Sequence, residues 1–259
     1  MKIVVLVKHV ADPDATWRYT DDLTVDRASL EGRLSELDEY AVEQAVSLVE
    51  NGLAATITFL TMGPASAVDG LRKALAMGGD DAVHVLDDAL SGSDALATSL
   101  VLARAVERIG FDLVLCGMSS TDAEMSVVPA MLAHRLGVPQ LTFANSLSVQ
   151  EGVVTVRRAS DTSLDHVTAT LPAVASVTDK IGEPRYAAFK AIMAGRKKPV
   201  TTWTLDDLSL DPQQVGSSGA ASVVRRAAIT PPRPAGVVVV DDGDGAVQIA
   251  DYLAGQNIL

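Results

Sequence analysis

The residues best suited to chemistry lie in one polar loop, Gly117-Met118-Ser119-Ser120-Thr121-Asp122, followed by Ala123-Glu124-Met125-Ser126. Small side chains and hydroxyls there leave both backbone amides and side chains free to meet a ligand. A short apolar run at 112–116 precedes the loop, the pattern of a strand buried on both faces of a parallel sheet. Residues 130–136 follow with helical spacing. Met131, Leu132 and Leu136 share one face, and Gly137 is placed to end the helix. A strand, a Gly- and Ser/Thr-rich loop and a helix put amides, hydroxyls and a helix N-terminus at the carboxyl edge of a sheet. That edge is where open α/β folds hold ligands, and the helix N-terminus favours an anionic group such as a phosphate. The same residues also make an ordinary strand-to-helix turn with capping hydroxyls, because no phosphate fingerprint is complete. Both readings stand at this point.

Other chemistries fail on spacing. His9, His84, His134 and His166 are scattered without metal-ligand spacing and read as structural or surface residues. Ser119 and Ser120 are not in a G-x-S-x-G elbow, which argues against serine hydrolysis. Neither a G-x-G-x-x-G after the first apolar run nor a Walker lysine motif occurs, so dinucleotide and P-loop assignments lack support. The pairs Asp21-Asp22, Asp206-Asp207 and Asp241-Asp242 lie in polar, turn-like sequence and read as solvated faces. Aromatic residues make up 4% of the 259-residue chain, few for building a flavin or nucleobase stacking pocket unaided. The single cysteine, Cys116, cannot form an intramolecular disulfide and reads as a small buried hydrophobe. A net charge of −12 argues against a nucleic-acid partner, since neutralising phosphates needs a basic surface. The first residues, MKIVVLVKHVADPD, are too short and too quickly charged for a signal peptide. No apolar run approaches the roughly 18 residues of a membrane span, so direct membrane insertion is not expected and the chain reads as cytoplasmic.

The elements that must position the loop repeat regularly. With 48% hydrophobic residues the chain is long enough for one full core plus an appendage, or for two small domains. Residues 2–10 form a first strand, its apolar run nearly continuous from Ile3 to Val7. Residues 11–32 are a polar insertion in which 16–20 and 23–27 pair as a small hairpin. Ser35-Glu36-Leu37-Asp38 resembles a capping box, with the Asp38 carboxylate reaching back in place of the usual Glu. Leu37, Ala41, Ala45 and Leu48 give the following helix its apolar stripe, closed by Asn51-Gly52. Residues 55–62 are a second strand, and Gly63-Pro64 opens a helix with Val68, Leu71, Leu75 and Ala76 on its buried face. Residues 82–86 are a third strand, and Ser93-Asp94 caps a helix through Ile109. Four strand–helix steps at this spacing predict an α/β fold with a doubly wound parallel sheet. From Leu141 the pattern changes: 141–149, 153–158 and 167–177 are β-rich, and are expected to extend the sheet as added antiparallel strands.

Composition shifts again after Thr178. Residues 179–199 hold Arg185, Phe189, Lys190, Arg196, Lys197 and Lys198, a basic island in an acidic chain. Beyond Val200 the sequence is polar, with Gly216-Ser217-Ser218-Gly219 read as a flexible spacer and Pro231-Pro232-Arg233-Pro234 as a stiff one. A short helix at 244–253 would place Val247, Ile249, Ala250 and Leu253 roughly on one side. This tail cannot bury a core of its own and must dock, on its own globule or on a partner. Read from the residues alone, the chain is an α/β domain with an anion or nucleotide site and a long partner-seeking tail.

The residues also resemble a known family, the β subunit of electron transfer flavoprotein. The resemblance covers essentially the whole chain and rests on Val7-Lys8, DEYAVEQAV at 38–46, ALAMGGD at 74–80 and DLVLxG at 112–117. It continues in LPAV at 171–174 and in EPRY…IM…KK across 183–198. It implies a Rossmann-like, adenine-nucleotide-binding fold whose chain catalyses no reaction alone. On this resemblance the chain comprises a nucleotide-binding domain at 1–182, a partner-recognition loop at 183–199 and a C-terminal arm at 200–259. It implies a heterodimer with an α subunit that binds most of the redox FAD, the arm docking on that subunit. The β chain then buries a structural AMP, or a second FAD in electron-bifurcating members. Electrons come from acyl-CoA dehydrogenases and related flavoenzymes, as in fatty-acid β-oxidation, and pass to the electron transfer flavoprotein–quinone oxidoreductase at a membrane.

By matched position the resemblance puts AMP against Leu6, Ser35, Met62 and the loop from Gly117 through Ser126, Val127 and Val128. Leu37 matches a position near the flavin ring. Asp165 matches a Glu that pairs with an α-subunit Arg and positions the flavin domain. Phe189 matches the apolar anchor that grips the dehydrogenase, with Arg185, Lys190, Arg196, Lys197 and Lys198 around it. The loop departs from its relatives: Ser119 stands where many have Gln, and Ser126-Val127-Val128 where many have Asn-Gln-Thr. Two other classes share the general fold. A universal-stress-like regulator has no use for an aromatic anchor in a basic loop followed by a docking tail. An adenylating enzyme needs a Ser-Gly-Gly loop after the first strand, where this chain has His9-Val10-Ala11-Asp12.

Overall fold

The computed structural model describes residues 1–228, 230–233, 235–236 and 238–258. In chain order the strands and helices begin β1 (Lys2–Leu6), β2 (His9–Ala11), β3 (Gly32–Leu34), α1 (Glu36–Glu50), β4 (Thr56–Met62), α2 (Val68–Met77), β5 (Asp81–Val85), α3 (Ala95–Ile109), β6 (Leu113–Gly117) and α4 (Val128–Leu136). They continue β7 (Gln140–Ala144), β8 (Ser146–Gln150), β9 (Val153–Ala159), β10 (Leu164–Thr170), β11 (Ala173–Val177), α5 (Phe189–Gly195), β12 (Val200–Trp203), α6 (Gly216–Gly219) and α7 (Gly245–Gly255). Among the described residues, seven strands form the central sheet in the order β12-β5-β4-β1-β6-β11-β7. Every pairing in it is parallel.

Alternation along the strands divides the core into two layers. Ile3, Val5, Phe59, Leu113 and Leu115 pack with Ala41, Val42 and Ala45 of α1 and Leu71 and Leu75 of α2. Val4, Leu6, Leu60, Val114 and Cys116 face the other way, onto Val101, Leu102 and Val106 of α3 and Leu132 of α4. This is the doubly wound arrangement that the four strand–helix steps require. The helix ends follow local chemistry. Asp94 caps α3 through a hydrogen bond from Ala97 N, a contact worth about 1 kcal/mol. Gly137 closes α4 at φ 65°, a conformation strained in any residue with a Cβ.

Four expectations are corrected. The β-rich segment after Leu141 does not extend the central sheet antiparallel: β7 and β11 join it parallel, and β8, β9 and β10 make a separate antiparallel sheet. The run 167–177 is two strands of different character, broken at Leu171-Pro172. β10 alternates between exposed and half-buried residues, whereas every residue of β11 is buried, as a strand covered on both faces must be. The hairpin expected at 16–20 and 23–27 reduces to one bridge, Tyr19 to Val25, and the paired ribbon there is β2 with β3. The stretch 216–219 is not a free spacer. It is a helical turn seated by Gly216 N donating to Ser93 Oγ (2.8 Å) and Ser217 N to Ser91 O (3.1 Å).

The chain divides into two compact units, Met1–Arg225 and Arg226–Leu259. Residues 183–225 belong to the first, where β12 pairs with β5 and Leu205, Leu208, Leu210 and Val215 are buried. In the second, α7 begins after Asp241, whose Oδ1 accepts from Gly243 N and Gly245 N. Val247, Ile249 and Tyr252 stand exposed on α7. Pro234 of the stiff spacer lies outside the described residues.

Gly216 tests the packed turn. It sits at φ 62°, and a Cβ there would lie 2.1 Å from Ala89 O. Gly216→Ala is expected to lower the free energy of unfolding by about 1–3 kcal/mol, from backbone strain plus overpacking. A urea midpoint equal to that of the unsubstituted chain would mean that the turn is not seated against Ala89.

Candidate functional site

Strand order decides where a ligand can sit. From β1 the chain builds outward through β4 to β5, then crosses back to place β6 on the other side of β1. The connections leaving β1 and β6 therefore run to opposite faces, and a crevice opens at their carboxyl ends. A cavity of about 580 Å³ occupies that crevice, within the size range of small-molecule sites. Leu6, Leu60, Met62, Leu102, Cys116 and Met131 give it an apolar floor. Lys8, Arg27, Ser119 and Ser120 stand on one side, with Ser93, Asp94, Thr98, Ala221 and Ser222 also in its wall. Burial raises the Cys116 thiol far above its ordinary value, with the Asp38 charge adding to it, so the thiol is inert.

The junction beneath the crevice is built on Asp38. Its Oδ2 accepts from Lys8 N at 2.8 Å, tying the first turn of α1 to the end of β1. On β6, a Cβ at Gly117 would stand 2.6 Å from both Asp38 Oδ1 and Leu37 O, so only glycine lets strand and helix meet. Burial pushes the Asp38 carboxyl up to about 7, against the hydrogen bond from Lys8 N and the Lys8 charge that favour the ionised form.

This overturns the capping box expected for α1. Ser35 is the N-cap residue, but its side chain makes no capping bond, and the Asp38 carboxylate does not reach back to it. Ser35 Oγ instead accepts from Thr121 N (3.4 Å), and Ser35 N donates to Lys8 O (2.9 Å). Both side chains therefore bind the strand ends rather than their own helix.

A second carboxylate organises the loop. The Asp122 side chain is fully buried between Lys8 Nζ (2.8 Å) and an Arg27 guanidinium nitrogen (2.5 Å). Burial alone would raise its carboxyl, but Lys8, Ser120 and Arg27 together hold it down to about 2. Lys8 Nζ also reaches Ser120 Oγ at 3.3 Å. Beside them Ser119 Oγ is buried with no hydrogen-bond partner among the described residues. A buried hydroxyl lacking a partner costs about 1–3 kcal/mol, so an orphan on a cavity wall marks where a ligand atom would be satisfied.

Of the residues expected from sequence, Leu6, Met62, Gly117, Ser119, Ser120, Ala123, Met125, Ser126, Val127 and Val128 line the cavity. Ser35, Thr121 and Asp122 brace the wall from behind through the contacts above. Leu37 is half-buried on α1 at the Gly117 junction, and Met118 and Glu124 are outside the lining. Sequence reasoning missed Arg27, Asp94 and Ala221-Ser222 as wall residues. Asp94 was legible as a helix cap after the third strand, a position that abuts the same sheet edge.

The remaining candidates lie elsewhere. Asp165, on β10, accepts from Arg158 Nε across to β9 at 3.0 Å. Arg185 grips two carboxylates on α1, with Nε 2.7 Å from Glu43 Oε2 and Nη1 2.7 Å from Glu50 Oε1. Its hydrogen bonds hold both carboxyls below the ordinary range. Lys198 Nζ donates to Leu75 O and Gly78 O at the end of α2. Lys190, Arg196 and Lys197 are exposed, and Phe189 is 78% exposed at the start of α5, with Tyr186, Ile192 and Met193 also exposed.

Comparison with known proteins gives a consistent result. A family model described as "Electron transfer flavoprotein domain" matches residues 22–208. The chain is 43% identical to "Electron transfer flavoprotein subunit beta" of Mycobacterium leprae (strain TN) over 263 aligned positions, covering 99% of both chains. It is equally similar, with the same coverage, to the protein of that name from Mycobacterium tuberculosis (strain ATCC 25618 / H37Rv). It is 33% identical to the protein of that name from Megasphaera elsdenii over 272 positions, all of both chains.

The Asp38 junction predicts a pH dependence. A carboxyl near 3.9 in the unfolded chain and near 7 when folded binds more protons folded, so its contribution falls as pH rises from about 4 to about 7. Asp122 runs the other way: its stabilisation is present above about 4 and is lost as pH falls toward 2. In urea unfolding at pH 5, 6 and 7, Asp38→Asn should gain on the unsubstituted chain by up to about 1.4 kcal/mol per pH unit. Parallel curves would remove Asp38 as the titrating group.

Proposed function

The chain belongs to the electron transfer flavoprotein β-subunit family, and from that premise we propose that it binds an adenine nucleotide at the β1/β6 crevice and acts as half of an electron carrier. The observation that carries this reading is the cavity with an orphan Ser119 hydroxyl on its wall. The residues present fit the nucleotide. The apolar floor suits a base, the loop offers hydroxyls and amides, and the charges of Lys8 and Arg27 exceed the one negative charge of Asp122 between them. An anionic phosphate is favoured on that side and disfavoured beside Asp94.

The nucleotide in this reading is AMP with a structural role. Ser35 and Thr121 support it indirectly, since their hydrogen bond fixes the loop to the head of α1. The partner is an α subunit that holds most of an FAD, the group that supplies the redox chemistry when bound. Toward that group this chain offers Leu37, at the head of α1, and Asp165, as a positioning charge. Asp165 would exchange its Arg158 contact for an arginine of the α subunit. With few aromatic residues of its own, the chain is not expected to hold the flavin alone or to catalyse a reaction alone. The exposed apolar residues of α7, Val247, Ile249 and Tyr252, suit the arm to the α subunit. Among the described residues no helix is long and apolar enough to cross a membrane. In this reading electrons pass to a separate membrane quinone oxidoreductase.

Electron donors in this reading are acyl-CoA dehydrogenases and related flavoenzymes, gripped by Phe189. Arg185 and Lys198 serve that grip by holding its base: one ties the segment to α1, the other to the end of α2. Lys190, Arg196 and Lys197 remain exposed around the aromatic ring, the arrangement of an interface anchor with a charged rim.

Two experiments test the proposal. Mass spectrometry of small molecules released from the denatured chain should find about one AMP per chain. FAD in its place would assign a bifurcating-type site, and no nucleotide would overturn the reading. For the partner surface, Phe189→Ala should weaken dehydrogenase binding by roughly 2 kcal/mol, about thirtyfold, with nucleotide content unchanged. Overlapping plots of electron-transfer rate against dehydrogenase concentration would remove the anchor.

A further inference from the structure

One wall of the cavity is held by a single oxygen atom. The α6 turn is fixed by its contacts with Ser91 and Ser93, and Val215 before it is buried. After Ala220 that support ends. Ala221 and Ser222 are exposed, yet both line the cavity. Among the described residues, their hydrogen bonds all go to Asp94 Oδ2, from Ala221 N (2.9 Å), Ser222 N (3.0 Å) and Ser222 Oγ (3.0 Å).

The carboxylate divides its work. Oδ1 accepts from Ala97 N and caps α3, while Oδ2 takes all three donors of the 221–222 segment. Three bonds to one ionised oxygen are charge-assisted and hold the segment more firmly than neutral contacts would. Partial burial opposes ionisation of Asp94, but the bonds from Ala97, Ser222 and Ala221 outweigh it and hold the carboxyl below the ordinary range. The second unit of the chain begins at Arg226, shortly after this wall.

We propose that Asp94 is the latch of the nucleotide cavity: it fastens the 221–222 strap as a wall and so sets how long a bound adenine nucleotide stays. The inference rests on the nucleotide reading above and adds to it a residue that controls release. Asp94 is a positioning residue here, acting on the ligand through the strap.

The two-oxygen division makes the role separable from capping. In Asp94→Ser the hydroxyl still caps α3 but cannot reach the strap. A second variant leaves α3 untouched: Ala221→Pro with Ser222→Ala removes the Ala221 N–H and Ser222 hydroxyl donors. Ala220 already has the extended backbone (φ −69°, ψ 129°) that a following proline requires. The full-length chain would be loaded with labelled AMP and chased with excess unlabelled AMP. Both variants should release label at least tenfold faster than the unsubstituted chain, with thermal midpoints close to its own. Trypsin should also cut faster after Arg225. Unchanged release in a folded double variant would overturn the latch, with the nucleotide reading intact. An unsubstituted chain that retains neither AMP nor FAD would overturn both.

Discussion

The arrangement depends on one close contact, the meeting of the α1 head with β6 at Gly117. Asp38 and Leu37 O occupy the space that any side chain at 117 would need. The same Asp38 carboxylate holds the end of β1 through Lys8 N. Three elements that diverge in sequence are thereby brought to one point, and the crevice above them is the cavity. Burying a carboxylate here carries a cost, visible in the rise of its pKa toward neutrality. A packed apolar residue would avoid that cost but would leave Lys8 N without its acceptor and β1 free to shift against α1.

Around this junction the chain separates its charges. Lys8 and Arg27 enclose Asp122 on the loop side, while Asp94 faces the cavity beneath the strap. The floor between them is apolar, supplied by strands whose alternate residues build the α3/α4 layer. A site of this kind suits the nucleotide proposed for it, with a phosphate on the loop side and a base on the apolar floor.

Much of the fold was legible because strands covered on both faces must be largely apolar, as the runs Ile3–Leu6 of β1 and Leu113–Cys116 of β6 are. The same signal misled at 167–177, where the alternating β10 runs into the wholly buried β11 and only Leu171-Pro172 separates them. Ser35 was readable as an N-cap position, but its side chain and that of Asp38 find partners on other segments, which no local pattern announces. Asp94 shows the same limit more sharply. Its cap to Ala97 is three residues away and visible in sequence, while the strap donors lie 127 and 128 residues on. The loop 117–128 was singled out as a candidate site because small and hydroxylated residues follow an apolar run. Which of its hydroxyls could serve a ligand was not legible, because it depends on Lys8 taking Ser120 and on Ser119 being left without a partner among the described residues.

The central claim is that the β1/β6 crevice is where this chain holds its nucleotide. Diffraction from crystals of the chain as purified, with no nucleotide added, tests it most directly. The account predicts nucleotide density inside the cavity, with a polar atom of the ligand within hydrogen-bond distance of Ser119 Oγ. Density for a nucleotide at any other place, or Ser119 Oγ satisfied by a protein group with the cavity closed, would contradict it.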